Sequence, residues 1–192
     1  MGRTPGTPRL FVLLAAALGV ACADAPAAGP GDPAGRDDGS SGPSLQDEVI
    51  VDLRTMHDKF SALAAAVPAA RYTHRVHPDV RSIGEELMHV ASANFRFPEM
   101  LGVEVPDVAP GWISGDAEAL DQAAAVAALD ASFEHMIAVV RDIGDLDRPM
   151  NVFGRPTNVR GFLTVMTGHL HEHLGKLISD TRAVGVVPPW SA

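Results

Sequence analysis

Three histidines occur at alternate positions near the end of the chain, as His169, His171 and His173 in the segment TVMTGHLHEHLGKLI. On a strand all three imidazoles would share one face, whereas on a helix His169 and His173 share a face and His171 points almost the opposite way. Side chains at i and i+4 of a helix are about 5–6 Å apart at Cβ, which lets two imidazoles bind one metal ion. The secondary structure of this segment therefore decides which site is possible.

The periodicity around these histidines is that of a helix. Core-type residues follow one another at steps of four, four, three and four positions: Phe162, Met166, Leu170, His173 and Leu177. This pattern predicts a helix from about residue 158 to 183 with Thr157 as its N-cap, His169 and His173 facing inward and His171 facing outward. Gly161, Gly168 and Gly175 are seven residues apart, a spacing that suggests close helix packing.

Three further segments show helical periodicity, at residues 44–67, 82–97 and 117–144. The apolar stripe of the first consists of Val49, Leu53, Met56, Phe60 and Leu63, and that of the third of Val126, Leu129, Phe133, Met136 and Val140. The second begins with Ser82 and Glu85 in a capping-box pattern. Strand signals are weak. Four helices of this length predict an all-α domain, a four-helix bundle, and sites in such bundles are built from inward side chains of facing helices.

A third metal ligand must come from another helix, and His89 in the second predicted helix is the best-placed candidate. Burying adjacent imidazoles without a partner costs on the order of several kcal/mol, so the pair favours a metal site over two hydrogen-bonded core histidines. The HExxH zinc motif is excluded because Leu170 stands at its glutamate position. An all-histidine site suits a divalent ion such as Zn, Ni, Cu or Fe.

Other side chains are weaker candidates for the same site. Glu85 lies one turn before His89 and could orient that ligand, although its capping role is the stronger interpretation. His57 lies beside the apolar stripe of the first helix and could approach the site. Glu85, His57 and Glu172 are the candidates for a catalytic base, and none is compelling. His135 lies off the main stripe of its helix and is predicted to be peripheral.

The chain before the helices has a different composition. Residues 1–22 resemble an export signal, because two arginines precede the apolar stretch LFVLLAAALGV, which is too short to span a bilayer. Residues 23–44 are rich in Pro, Gly, Ala and Asp and predict a flexible linker. Residues 45–192 remain as one domain. The formal net charge of −9 argues against nucleic acid as a partner.

Cys22 is the only cysteine, so it cannot form a disulfide within the chain. The residues GVAC that end with it resemble the lipobox of bacterial lipoproteins, in which the cysteine is acylated and anchors the protein to the membrane. The alternative is ordinary signal-peptide cleavage after Ala23, which would leave a soluble periplasmic or secreted protein. Both alternatives predict export.

The ordered set of motifs resembles the DinB/YfiT-like superfamily. His89 lies within VRSIGEELMHVASAN, and far downstream come FGRPTNVRGFL and the segment HLHEHLGK that holds His169 and His173. The resemblance implies an up-down-down-up bundle with a long crossover and a divalent metal bound by His89, His169 and His173. Lys176 stands where relatives commonly have Gln.

The resemblance leaves the activity open, since such proteins include metal-dependent hydrolases, thiol-dependent transferases and maleylpyruvate isomerase-like enzymes. Export disfavours transfer to a cytosolic thiol. Three hypotheses remain: a metal-dependent enzyme acting on a small molecule, a non-catalytic metal- or ligand-binding module, and a purely structural bundle. A pocket filled by Phe95, Met100, Trp112 or Trp190 would favour the second. The oligomeric state is open, a homodimer included.

Overall fold

The computed structural model describes residues 42–108, 110–114 and 121–191. The predicted signal peptide, Cys22 and most of the predicted linker lie outside the described residues. Export and lipid attachment therefore stay predictions.

The described residues form four long helices, one short helix and one β-hairpin. The helices are α1 Leu45–Ala66, α2 Ile83–Arg96, α3 Pro110–Ser114, α4 Gln122–Asp142 and α5 Val159–Ala183, and the strands are β1 Pro149–Val152 and β2 Arg155–Asn158. Single 3₁₀ turns occur at Ala69–Arg71, Phe97–Leu101 and Pro189–Ser191. The four long helices correspond to the four predicted segments, which confirms the all-α class; the hairpin was not predicted.

Side-chain caps set where the long helices begin. Ser44 and Asp47 form a capping box at α1, and the predicted box of Ser82 and Glu85 is present at α2. The prediction that Thr157 caps α5 is wrong. Asn158 is the cap, because its side chain accepts the Gly161 N–H at 3.0 Å, whereas Thr157 is held in β2 opposite Met150.

Contacts at both ends show that α1 and α4 are antiparallel. The Gln46 amide, at the start of α1, donates to the carbonyl oxygen of Ile143 just after α4, at 2.8 Å. At the other end, the Gln122 amide donates to the carbonyl oxygens of Ala65 and Val67 at 2.7 and 3.0 Å.

The helix α2 starts at the same end of the bundle as α4. Tyr72 donates its hydroxyl to the Ala64 carbonyl at 2.7 Å, and its own carbonyl accepts the N–H of Gly84 in the first turn of α2 at 2.8 Å. The Gln122 amide also reaches the Ala64 carbonyl, at 3.1 Å. Thus α2 and α4 both begin beside the end of α1 and run parallel, joined by the long connection that contains α3.

The helix α5 runs antiparallel to α2. Phe97, just after α2, packs edge-on against Phe162 in the first turn of α5, with ring centroids 6.2 Å apart. Glu86, near the start of α2, meets His173 further along α5. The helix order is therefore up-down-down-up with a long crossover, as the family resemblance implies.

The predicted apolar stripes form the core. On α1 the buried residues include all five that were predicted: Val49, Leu53, Met56, Phe60 and Leu63. On α4 and α5 they include Leu129, Phe133, Met136, Val140, Phe162, Met166, Leu170 and Leu177. Val126 and His173 are only half-buried. Each fully buried Leu, Met or Phe contributes roughly 1.5–3 kcal/mol relative to an exposed one.

The hairpin leads directly into α5. Its two-residue turn consists of Phe153 and Gly154, with φ of 50° and 82°, the positive values that a type I′ turn requires. Asn151 accepts the Gly154 N–H at 2.7 Å. Strands of four residues that contain Pro, Asn and Arg carry little strand signal, which explains why the hairpin was missed.

The predicted role of the three spaced glycines on α5 is wrong for two of them. Gly168 and Gly175 are exposed, and a methyl group placed there would meet no atom within 4 Å. Gly161 differs, because a methyl group there would collide with the Thr157 hydroxyl. Only Gly161 is therefore required by packing, and its contact is with the hairpin.

Candidate metal centre

The structure brings His89 of α2 together with His169 and His173 of α5. Nε2 of His89 and Nε2 of His169 are 3.3 Å apart. The His173 ring centroid is 4.5 Å from that of His89 and 4.2 Å from that of His169. One nitrogen from each ring lies within 4.8 Å of the others. The three residues predicted as ligands thus form one cluster.

The helices explain this convergence. His169 and His173 are one turn apart on α5, so their rings lie on the same side of that helix. Antiparallel α2 then presents His89 opposite them. The edge of Phe97 meets the His169 ring at 88°, with centroids 5.0 Å apart, and closes the cluster on that side.

The cluster fits a metal ion by distance. Two nitrogens that bind one ion at about 2.0–2.1 Å with tetrahedral geometry lie about 3.3 Å apart, which matches the separation of the His89 and His169 nitrogens. Three imidazoles would also leave one coordination position open, as catalytic zinc sites do.

The electrostatics favour neutral imidazoles, the form that binds metals. Burial, with additional repulsion from His173 and His89, lowers the pKa of His169 to about 4. Burial also lowers the pKa of His89, and the nearby positive charge of Arg81 acts in the same direction. Both rings are therefore neutral at pH 7.

Glu86 is a site residue that the sequence analysis missed. Its carboxylate is fully buried, and Oε1 accepts a hydrogen bond from Nδ1 of His173 at 2.5 Å. Burial raises the pKa of Glu86, but the hydrogen bond and electrostatic attraction of His173, together with Lys176, outweigh it and leave the pKa below its ordinary value. One signal was available: Glu86 lies three residues before His89 and so shares its side of α2.

Glu85 was the predicted orienting carboxylate, and the structure assigns it another role. It accepts the Ser82 N–H at 2.7 Å in the helix cap and pairs with Arg75. The capping interpretation of Glu85 is confirmed. Since the cap uses Glu85, the adjacent glutamate is the one that reaches the histidines.

The other predicted candidates lie elsewhere. His57 hydrogen-bonds to Asp130 of α4 at 2.7 Å and stacks on Phe133 with centroids 5.1 Å apart. Glu172 is exposed. His171 points outward as predicted and also contacts Asp52 of α1, at 3.0 Å. None of these belongs to the histidine cluster.

His135 is more buried than predicted. Its ring packs on Phe95 with centroids 5.9 Å apart, and Nε2 is buried without a hydrogen-bond partner in the described part of the chain. Burial lowers its pKa. The residue also lines a cavity of about 490 Å³ at the end of α4.

The four residues predicted as possible plugs have other neighbours. Phe95 stacks on Trp112 with centroids 6.5 Å apart, and Trp190 lies beside Lys59 of α1. Met100 lines a different cavity, one wall of which is Phe97. Phe97, which was not considered, is the aromatic residue that touches His169.

Comparison with known proteins gives a family and a fold. The family model described as the DinB superfamily matches residues 52–177. A comparison with curated protein sequences finds no match. A DinB-like protein from Bacillus cereus has a similar structure, with a TM-score of 0.64 and 13% identity, covering 73% of this chain and 93% of that one.

Two proteins of Bacillus subtilis are also similar in structure. The DinB-like protein YjoA has a TM-score of 0.57 and 18% identity, covering 72% of this chain and 92% of its own. YfiT has a TM-score of 0.58 and 17% identity, covering 76% and 92%, and is described as a probable metal-dependent hydrolase with an unusual four-helix bundle topology. At these identities the likeness supports the fold.

Proposed function

The chain belongs to the DinB superfamily, and on that premise we propose that it binds a divalent metal ion through His89, His169 and His173 and hydrolyses a small molecule there. The observation that carries the proposal is the 3.3 Å separation of the His89 and His169 nitrogens, with His173 against both rings. The description of YfiT as a probable metal-dependent hydrolase supports the reaction class.

The protein's own groups have distinct roles in this proposal. A divalent ion bound there would supply Lewis acidity toward the substrate and toward a water molecule. His89, His169 and His173 hold it as neutral ligands, and Phe97 shields His169 on one side. The three predicted base candidates, His57, Glu85 and Glu172, lie outside the cluster, so the proposal assigns no catalytic base.

The position of these three residues outside the cluster favours a second candidate function, a metal-binding module without catalysis. Among the described residues, Glu86 is the carboxylate that touches the histidine cluster, and its Oε1 is already hydrogen-bonded to His173. A site whose acidic group is engaged in this way has no obvious proton acceptor for water. The two functions share the same ligands and differ only in turnover.

The test is elemental analysis of the protein purified without chelators or a histidine tag. We expect about one divalent ion per chain in the wild type, and loss of the ion in both His89→Ala and His169→Ala. His57→Ala is the matched control, because it removes a half-buried imidazole that pairs with a carboxylate outside the cluster, and it should keep the ion. Metal-free wild-type protein that stays metal-free when zinc is added would overturn the proposal.

Turnover separates the two candidates. Ester, amide and phosphoester substrates of low molecular weight would be screened with the metal-loaded wild type. Activity that disappears in His169→Ala supports the hydrolase, whereas stoichiometric metal with no turnover supports the binding module.

We also propose that the protein is exported and anchored to a membrane through acylated Cys22. The support is the sequence alone, an apolar segment followed by GVAC and a Pro- and Gly-rich segment. Mass spectrometry of the mature N-terminus tests it. A lipid-modified Cys22 that is absent from Cys22→Ser supports the anchor, and cleavage after Ala23 indicates a soluble exported protein.

A further inference from the structure

Glu86 presents a physical problem that the proposed ligands do not solve. Its side chain is 0% exposed, although it lies on α2 among the apolar residues Leu87, Met88 and Val90. A buried ionised carboxylate is costly unless it is paired and hydrogen-bonded. The partners of Glu86 must therefore account for its presence in the core.

Those partners come mainly from α5. Oε1 accepts the hydrogen bond from His173 at 2.5 Å, and Oε2 lies 3.3 Å from Nζ of Lys176 and 3.8 Å from Nη1 of Arg81. The Lys176 nitrogen lies at ion-pair distance from Oε2 but does not donate a hydrogen bond to it. Oε2 has no hydrogen-bond partner among the described residues. Lys176 donates instead to Asp180, at 2.6 Å. Together they form a chain of polar contacts that runs from Asp180 through Lys176 and Glu86 to the imidazole of His173.

This contact chain determines which nitrogen of His173 faces the cluster. A neutral imidazole carries one N–H and one lone pair, and Nδ1 uses its N–H to donate to Glu86. The lone pair then belongs to Nε2, the nitrogen free to face His89 and His169. Carboxylate–histidine–metal arrangements of this kind are usual in metal sites because they fix the ring and raise its basicity.

The other ligand on α5 lacks such support. Nδ1 of His169 is buried without a hydrogen-bond partner in the part of the chain that the structure describes. Of the two ligands on α5, His173 is therefore the one whose ring is held by a carboxylate, Glu86.

We propose that Glu86 is a positioning residue, which holds His173 with its Nε2 lone pair directed at His89 and His169, and that Lys176 and Asp180 hold Glu86 in turn. The inference rests on the proposed function and adds to it the residue that prepares the site. It also gives Lys176 a role, because its ammonium group lies 3.3 Å from Oε2 of Glu86.

The chain provides a matched control in the adjacent glutamate. Glu85 lies on the same helix turn, but it caps α2 and pairs with Arg75 rather than with a histidine. Glu85→Gln and Glu86→Gln remove the same charge, and glutamine preserves a capping box. A difference between the two variants therefore reports the contact with His173.

The first measurement uses the full-length protein without metal. Two-bond proton–nitrogen NMR correlations of the imidazoles show which nitrogen of each histidine is protonated. We expect the proton of His173 on Nδ1 in the wild type and in Glu85→Gln, and a mixture of the two forms in Glu86→Ala. A wild-type His173 protonated on Nε2, or a Glu86→Ala spectrum unchanged from the wild type, would overturn the inference.

The second measurement is zinc affinity, by competition with a chromophoric chelator. We expect Glu86→Gln to bind zinc about 10–100-fold more weakly than the wild type, as loss of such a carboxylate does in other metal sites. Glu85→Gln should remain within about twofold, and Lys176→Gln should fall between them. A purely structural Glu86 would leave the zinc affinity of the folded variant unchanged, and that result would also overturn the inference.

The two measurements separate failure of this inference from failure of the proposed function. A wild type that does not bind zinc contradicts the proposed function, whereas the protonation of His173, measured without metal, still decides whether Glu86 fixes that ring. Equal zinc binding by the wild type and Glu86→Gln leaves the proposed function intact and removes the role of Glu86.

Discussion

Two histidine–carboxylate pairs join helices in this bundle, and they differ in their surroundings. His57 of α1 and Asp130 of α4 are 2.7 Å apart, with side chains that are 25% and 46% exposed. His173 of α5 and Glu86 of α2 are 2.5 Å apart, with side chains that are 12% and 0% exposed. The chemical groups are the same, so the difference lies in what packs around them.

The neighbours of the two histidines point to two functions. His57 stacks on Phe133 at the edge of the apolar α1–α4 interface. His173 faces two further imidazoles in the α2–α5 interface, those of His89 and His169. A histidine–carboxylate pair is therefore a candidate metal site only where other ligands converge on it. The α1–α4 interface thus contributes to the apolar core, and the α2–α5 interface contains the proposed metal site.

The largest expected effect tests the stabilising role of the α1–α4 interface. Phe133→Ala removes a fully buried ring that packs on Phe60 and His57. We expect the free energy of unfolding to fall by about 3–5 kcal/mol, measured by urea denaturation, with the zinc content of the folded protein unchanged. Loss of zinc from folded Phe133→Ala would show that the two interfaces are not separable in this way.

The second prediction compares the two histidine–carboxylate pairs directly. Glu86→Ala leaves the His173 N–H buried without its acceptor and should lower the free energy of unfolding of metal-free protein by about 1–3 kcal/mol. Asp130→Ala removes a half-exposed partner and should cost about 0–1 kcal/mol. Both are measured by urea denaturation in the presence of a chelator. An equal loss of unfolding free energy in the two variants would mean that burial does not distinguish the two histidine–carboxylate pairs.

A smaller effect concerns His135, whose Nε2 is buried without a hydrogen-bond partner among the described residues. Burial lowers the pKa of His135 from its ordinary value of 6.5, so the unfolded chain binds a proton more readily than the folded one. The contribution of His135 is therefore intact above about pH 6.5 and is lost as the pH falls below it. Metal-free His135→Gln should lose less unfolding free energy than the wild type between pH 7 and pH 5. Parallel pH profiles for the two proteins would contradict the expectation.

The smallest effects distinguish the outer side of α5 from the end that meets the hairpin. Gly168→Ala and Gly175→Ala should each raise the free energy of unfolding by about 0.5–1 kcal/mol, because both positions are exposed and open. Gly161→Ala should lower it, since the added methyl group collides with Thr157. Thermal denaturation of the three variants checks the signs. A higher free energy of unfolding in Gly161→Ala would mean that Thr157 of the hairpin moves aside with little loss of stability.

Much of the bundle could be predicted from spacing within the chain. The stripe from Val49 to Leu63 and the capping box of Ser82 and Glu85 depend on residues three or four positions apart, and these contacts form within one helix turn. The hairpin before α5 could not be predicted in this way. Its short strands pair at the entrance to α5, where Val159 donates its N–H to the Arg148 carbonyl at 3.2 Å.

The candidate site likewise contains features that spacing within the chain predicts and features that it does not. The pairing of His169 with His173 follows from one turn of helix, and a third ligand from another helix was a reasonable prediction. The sequence favoured His89 over His57 as that ligand, and His89 does lie in the cluster, whereas His57 pairs with Asp130. The sequence also favoured Glu85 over Glu86, although the two are adjacent. The cap decides between the glutamates, since Ser82 and Arg75 already engage Glu85.

The four helices, the inward HxxxH pair and the residues able to hold a metal follow from the amino-acid sequence, because these features depend on interactions between near neighbours in the chain. Tertiary packing alone specifies how closely His89 approaches the pair, that His57 pairs with Asp130 instead, and that Glu86 and Lys176 support His173. Distances between helices depend on how all the buried side chains pack together, and no spacing along one helix specifies them.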